Sequence, residues 1–314
     1  MDPELSVIIP VYNEEENIIP LFDELNTVLP ALHRTYEILF VDDGSTDATF
    51  TRLKELHDRD PAVRIIRFRR NFGQSAAMKA GFDHARGRII VTMDADLQND
   101  PHDIPALLER LEQEDYDVVC GWRHTRNDSL SKKTSSRIAN RFRTLLTGES
   151  IHDSGCTLRA YTRESVAGIE LYGELHRYIP ALLLWKGYRV GEIETHHRER
   201  RFGRTKYSWQ RLAKGFLDLI VITFWQKYSA RPMHIFGGLG LTMGVLGLGI
   251  VLYLGISRLV LKTGLTDRPL FLVGLVLLVV GVQFIALGII ADILLKVYHG
   301  QNERKTYLVE KVLE

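Results

Sequence analysis

Two stretches with no charged side chain, Ile235 to Ser257 and Leu270 to Ala291, constrain this chain more than any other feature. Each reaches the roughly 20 residues that cross about 30 Å of hydrocarbon as a helix, so two membrane spans are predicted, about 235–260 and 270–294. Gly237, Gly238, Gly240, Gly244, Gly247 and Gly249 would weaken a soluble helix, but in lipid they let helix backbones approach closely. The loop Arg258 to Pro269 carries Lys262, Asp267 and Arg268, whereas Lys227 and Arg231 precede the spans and Lys296, Arg304, Lys305 and Lys311 follow them. The larger basic excess lies on the side of both termini, which are expected in the cytosol of a multi-pass inner (plasma) membrane protein. No secretory signal is read at the start, because Tyr12-Asn13-Glu14 stops the apolar run Leu5 to Val11.

Over 314 residues, 40 Lys and Arg oppose 39 Asp and Glu, a net charge of +1 that offers no bulk field for nucleic acid. Cys120 and Cys156 match neither a disulfide framework nor a metal spacing. Residues 1–207 read as one cytosolic α/β domain, followed by a juxtamembrane amphipathic helix at 208–233, the spans within 234–296 and a cytosolic tail at 297–314. β-rich runs fall at Leu5 to Val11, Glu37 to Val41, Val63 to Phe68, Arg88 to Asp94 and Val118 to Trp122. Helical stretches lie between them near Asn17 to Leu29, Asp47 to Asp58, Ser75 to Ala85 and Asp103 to Glu114, with Thr46, Asp47 and Asp103 as start signals. This alternation predicts a doubly wound, mainly parallel sheet, whose ligands sit outside the carboxyl ends of the strands.

Acids occupy those ends. The first strand leads into Pro10-Val11-Tyr12-Asn13-Glu14, the second into Asp42-Asp43-Gly44-Ser45-Thr46-Asp47, and the fourth into Asp94-Ala95-Asp96-Leu97-Gln98. Asp47 fits a helix cap or turn better than a ligand. In extended geometry Asp94, Asp96 and Gln98 project to one face, and two carboxylates so placed repel each other unless a hard cation, Mg²⁺ or Mn²⁺, lies between them. Such an ion keeps positions open for a diphosphate. Neither GxxxxGK[ST] nor GxGxxG is present to support a P-loop NTPase or a dinucleotide enzyme.

Together with Arg70-Asn71-Phe72-Gly73-Gln74, these segments resemble, in order and spacing, the inverting family 2 glycosyltransferases of the Rossmann-like GT-A fold. More narrowly, Asp153-Ser154-Gly155-Cys156-Thr157-Leu158-Arg159, Arg200-Arg201-Phe202-Gly203-Arg204-Thr205-Lys206-Tyr207 and the paired spans resemble the polyprenyl-phosphate glycosyltransferases, the group of dolichol-phosphate mannose synthase. The resemblance implies that Asp94, Asp96 and Gln98 hold the metal on the donor diphosphate, and that Pro10, Tyr12, Glu14 and Asp42 surround the nucleoside. It implies a UDP- or GDP-linked sugar as donor, polyprenyl phosphate as acceptor, Arg123 and Arg137 as acceptor-phosphate ligands, and a homo-oligomer.

The acceptor headgroup lies at the bilayer surface, so cations are expected near the mouth. Ser131 to Leu146 is a basic amphipathic stretch, with Lys132, Lys133, Arg137, Arg141 and Arg143 set against Ile138, Phe142, Leu145 and Leu146. Ser208 to Phe224 carries Trp209, Leu212, Phe216 and Ile220 at helical spacing, facing lipid or core. Arg200 and Lys206 are read as contacts of a mobile clasp on the donor diphosphate. Asp153 is read either as a general base or as a group that orients an arginine or the sugar, since a phosphate acceptor is already anionic at neutral pH. A lipid-linked-sugar flippase accessory without chemistry is the alternative from another class, and a processive synthase of the same fold would need further spans and a QxxRW motif.

Overall fold

Leu5, Val7, Ile8, Ile9 and Val11 expose 2% of their surface or less, so the first strand is covered on both faces, as a central parallel strand must be. The computed structural model of the protein describes residues 2–124, 151–153, 155–198, 232–261, 269–300 and 309–313. The stretches 131–146 and 208–224, with Arg137, Arg200 and Lys206, lie outside the described residues.

Strand β1 (Leu5–Val11) pairs in parallel with β2 (Tyr36–Asp42) and β4 (Ile89–Thr92), and β2 with β3 (Val63–Phe68). Helices α1 (Ile18–Ala31), α2 (Thr49–Arg59), α3 (Gln74–His84) and α4 (Ile104–Gln113) link these strands and seal the core with Leu21, Leu25, Leu53, Leu56, Leu107 and Leu111. Strand β5 (Val118–Trp122) runs antiparallel to β6 (Arg159–Thr162) and parallel to β7 (Val190–Glu194), and β6 pairs antiparallel with β4. Short helices α5 (Arg163–Val166) and α6 (Ile179–Trp185) fill the β6–β7 connection.

A last strand, β8 (Val309–Leu313), pairs antiparallel with β3, giving the order β7-β5-β6-β4-β1-β2-β3-β8 among the described residues. The predicted tail at 297–314 therefore contributes an edge strand. The chain groups into two units, Met1–Leu219 with Lys305–Glu314 and Ile220–Arg304, so β8 belongs to the first.

The second unit contains α7 (Pro232–Leu261) and α8 (Pro269–Gly300). Their apolar portions, Pro232–Val260 and Pro269–Leu294, have mean hydropathies of 2.1 and 2.9 and are long enough to cross a membrane. Glycines set their contact. A Cβ on Gly240 would lie 2.5 Å from the Gly281 carbonyl oxygen, and one on Gly247 2.7 Å from that of Gly274. Backbones this close exclude any larger side chain.

Three local expectations are corrected or refined. Strand β4 stops at Thr92, two residues short of Asp94. Asp103 occupies the N-cap position of α4, but its side chain makes no capping bond; its carboxylate accepts from His196 N and lies against His196 Nδ1, each at 2.7 Å. Thr46 starts no helix, its N–H donating to Asn13 Oδ1 at 2.8 Å, whereas Asp47, one residue before the Ala48 N-cap of α2, accepts from Thr49 N at 3.0 Å.

Candidate active site

The parallel strands bring three loops together at their carboxyl ends. Val11 lies in register with Asp42, and Asp43 N donates to the Val11 carbonyl at 2.8 Å. Asn13, at φ 54°, has its N–H on Ser45 Oγ at 3.0 Å and its side-chain oxygen on Thr46 N. Glu14 N donates to Thr49 Oγ1 at 2.9 Å, while its carboxylate accepts from Asn17 Nδ2. The turn after β1 is thus clamped to the turn after β2. Gly44 completes the clamp at φ 70°, where a Cβ would sit 2.4 Å from the Arg70 carbonyl carbon. Only glycine fits such an approach.

Asp42 and Asp43 differ in use although they are adjacent. Asp43 accepts from Phe72 N at 2.6 Å and Gly73 N at 2.9 Å, fixing the loop that starts α3. Asp42 is fully buried, with Oδ1 accepting from Ser45 N at 2.9 Å. Its Oδ2 lies 3.6 Å from Arg67 Nε, and both atoms are buried without a hydrogen-bond partner. Burial pushes both carboxyls above the ordinary range, against the hydrogen bonds that lower them.

Beyond β4 the chain bends, and Leu97 adopts φ 62°. Ala95 and Leu97 sink into the core at 3% and 2% exposure, which offsets the strain of that conformation. Asp94 and Asp96 remain neighbours at the mouth. The continuous strand expected to bring in Gln98 is absent; a turn places it there, with Gln98 N donating to Asp96 Oδ1 at 3.1 Å. Gln74 Nε2, from the first turn of α3, donates to Asp94 Oδ1 at 2.7 Å. Burial and the Asp96 charge push the Asp94 carboxyl up to about 6, against the Thr157 hydroxyl and the more distant Arg123 and Arg159.

Among the described residues no group of three or more His, Cys, Asp and Glu side chains is arranged to hold a metal by itself. Two crowded carboxylates suit a hard divalent ion whose other positions are filled by phosphate and water.

Arg123, directly after β5, forms a two-point ion pair with Asp153, Nε to Oδ2 at 2.6 Å and the second guanidinium nitrogen to Oδ1 at 2.9 Å. Both side chains are nearly buried, at 11% and 12% exposure. Burial alone would lower the Arg123 pKa, but the Asp153 hydrogen bonds and charge raise it instead. Arg159 is buried on β6, one guanidinium nitrogen on the His176 carbonyl at 3.2 Å. His176 is structural, its Nδ1 2.9 Å from Ser75 Oγ. The chain before residue 199 lies along the mouth: Arg198 N donates to the Gln98 carbonyl at 2.9 Å, and its guanidinium bridges Glu24 and Asp100 at 2.7 and 2.6 Å.

Of the residues anticipated from sequence, Tyr12, Glu14, Asp94, Asp96 and Gln98 lie on the loops beyond the carboxyl ends of β1 and β4, Asp42 is the last residue of β2, and Pro10 is close to the end of β1. Arg123 and Asp153 pair with each other. Gln74 and Thr157 belong to the Asp94 environment and were not anticipated, although both stand inside the recognised segments.

Residues 6–169 match the domain described as glycosyl transferase family 2. Over 315 residues the chain is 40% identical to dodecaprenyl-phosphate galacturonate synthase of Rhizobium johnstonii, covering 99% of this chain and 93% of that protein. It is 36% identical to undecaprenyl-phosphate 4-deoxy-4-formamido-L-arabinose transferase of Yersinia pestis, covering 99% and 94%. Similar solved structures include mannosyl-3-phosphoglycerate synthase from Rubrobacter xylanophilus, at TM-score 0.58 and 16% identity over 72% of this chain and 75% of that one. Another is glucosyl-3-phosphoglycerate synthase from Mycobacterium tuberculosis in complex with Mn²⁺ and UDP-glucose, at TM-score 0.53 and 18% identity over 70% and 79%. At these identities the likeness establishes the GT-A fold.

Proposed function

The chain belongs to glycosyl transferase family 2, and from that premise we propose that it moves one sugar, with inversion, from a nucleoside-diphosphate donor to polyprenyl phosphate at the cytosolic face of the inner membrane. The near full-length likeness to two enzymes named for polyprenyl-phosphate products carries the acceptor assignment. The two apolar helices supply the anchor. The donor is taken as UDP-linked, with GDP-mannose as the second candidate.

In this reading Pro10, Tyr12 and Glu14 border the nucleoside, and the unsatisfied Oδ2 of Asp42 accepts from a base N–H or a ribose hydroxyl. Asp94, Asp96 and Gln98 would hold Mg²⁺ or Mn²⁺ beside the donor diphosphate, and the ion would supply charge neutralisation for the departing nucleotide. Gln74 keeps the Asp94 carboxylate aimed at that position. Arg200 and Lys206 close over the diphosphate from a chain that enters beside Gln98. Arg123 and Arg137 orient the acceptor phosphate, whose oxygen attacks the anomeric carbon while the bond to the donor diphosphate breaks. Both Asp153 oxygens are engaged by Arg123, which supports orientation of that guanidinium over proton removal.

Asp153→Asn is expected to weaken transfer by roughly 10- to 100-fold, the worth of a charged hydrogen bond, by the same factor from pH 6 to pH 9. A loss confined to low pH would assign the titrating base role instead.

A second expectation concerns the ion. The Asp94 carboxyl is raised to about 6, so below that pH the metal must displace a proton. Mn²⁺-dependent nucleotide affinity should be full well above pH 6 and fall as pH drops through it, and Asp94→Asn should retain only the titration of the nucleotide itself. Calorimetry between pH 5 and pH 8 measures both.

The reading as a whole is tested by incubating the purified protein with radiolabelled UDP-sugars or GDP-mannose, Mn²⁺ and polyprenyl phosphate in vesicles. Label entering the lipid phase supports an enzyme. Movement of preformed glycolipid across the vesicle without new label would indicate a flippase accessory.

A further inference from the structure

Glu192 lies on the edge strand β7, in register with Cys120 on β5, and only 14% of its side chain is exposed. No local sequence pattern sets it apart. Its carboxylate accepts from two successive backbone N–H groups, His152 N at 3.1 Å to each oxygen and Asp153 N at 3.1 Å to Oε1. His152 Nδ1 lies 2.8 Å from Oε2, and the His152 ring stacks on Trp122 with centroids 4.5 Å apart and planes 20° from parallel. One carboxylate thus fixes the backbone that carries Asp153, and Asp153 in turn holds Arg123 at two points. Trp122 and Arg123 leave β5, the strand that β7 flanks, so Glu192 and Arg123 sit on neighbouring strands joined by this relay.

We propose that Glu192 is a positioning residue for acceptor binding, acting through the His152–Asp153 backbone and Asp153 to hold Arg123 toward the acceptor phosphate. This rests on the acceptor role given to Arg123 above. Two consecutive amides and an imidazole converging on one largely covered carboxylate form a stiff support. Glutamine at this site keeps the shape but offers one accepting oxygen and no charge, so the turn carrying Asp153 loosens without opening a cavity. Misalignment of a binding group by a fraction of an ångström is felt in binding and rate. The nucleoside and metal residues Pro10, Tyr12, Glu14, Asp42, Asp94 and Asp96 lie at or beyond the ends of β1, β2 and β4, away from this support.

The test is a cycle of Glu192→Gln, Asp153→Asn and the double variant in the full-length protein in vesicles. The expected result is a rise of about tenfold in the KM for polyprenyl phosphate in Glu192→Gln. Calorimetric affinity for UDP with Mn²⁺ should stay within about twofold, and Glu192→Gln should cause no further rise once Asp153 is Asn. Glu192→Asp, which keeps the charge on a shorter side chain, should recover part of the loss and replaces Glu192→Gln in the cycle if that variant does not fold.

A raised acceptor KM in Asp153→Asn with a wild-type value in Glu192→Gln overturns the inference alone. So do fully multiplicative effects, or an equal loss of donor affinity, which would make Glu192 a general support of the fold. A wild-type acceptor KM in Asp153→Asn overturns the acceptor role of the Arg123–Asp153 pair and the inference with it.

Discussion

Asp94→Asn combined with Asp96→Asn is expected to lower sugar transfer by at least about 10³-fold, the scale set by removing groups that stabilise developing charge. Asparagine can keep an accepting oxygen for Gln74 Nε2 at Asp94 and one for Gln98 N at Asp96. The loss would therefore come from the charge and not from the shape. Stability should move the other way. In the metal-free protein burial and Asp96 raise the Asp94 carboxyl, so its ionised form is disfavoured in the folded state. Such a group penalises folding above the raised value and costs nothing below the ordinary carboxylate range. Without metal, the double variant should melt higher than the wild type at pH 7.5 and at the same temperature near pH 3.5. Retained transfer, or an equal loss of stability and activity, would deny these carboxylates their place in the chemistry.

The largest effect on stability is expected far from the mouth. Glu37 on β2 is buried, with Oε1 accepting from Ser6 Oγ at 2.5 Å and from Arg86 N at 2.7 Å, and Oε2 paired with Arg64 at 2.5 Å. Arg64 also donates to the His84 carbonyl at 3.1 Å. Glu37→Ala removes the carboxylate partner of a buried guanidinium, a hydroxyl and an amide together. Removing one partner of a buried ion pair costs about 3–5 kcal/mol, so chemical unfolding of the first unit should shift by that amount. Metal-dependent nucleotide affinity of the folded fraction should stay unchanged. A shift below about 1 kcal/mol, typical of exposed pairs, would show that water reaches the network.

What the sequence made legible follows a physical pattern. Strands β1, β2, β3 and β5 stand out because central strands need apolar residues on both faces, and the acids after β1, β2 and β4 stand out because such runs end abruptly in polar residues. Strands β6, β7 and β8 were not anticipated. Each is only four or five residues long, and Arg159–Thr162, Val190–Glu194 and Val309–Leu313 all include charges. Their pairing comes from partners distant in sequence, which no local periodicity reports.

The same holds within the site. Asp153 is visible in its motif, yet its use depends on Arg123, 30 residues earlier, and on the amides bound by Glu192, 39 and 40 residues later. Asp103 marks the start of α4 as its sequence suggests, yet its carboxylate binds His196, 93 residues on, and not the helix. Leu97 shows why a two-residue alternation does not describe the chain from Asp94 to Gln98: burying that leucine bends the backbone, so a turn and not an extended strand carries Gln98.

A divalent ion held by Asp94 and Asp96 is proposed to offset the charge of the departing nucleotide as sugar passes to a lipid phosphate. The most direct measurement follows labelled glycolipid formed by wild-type protein first stripped with chelator and then titrated with Mn²⁺ or Mg²⁺. Near-complete loss on stripping and recovery on titration with either ion is the predicted result. Full-rate synthesis by the stripped protein would contradict the account.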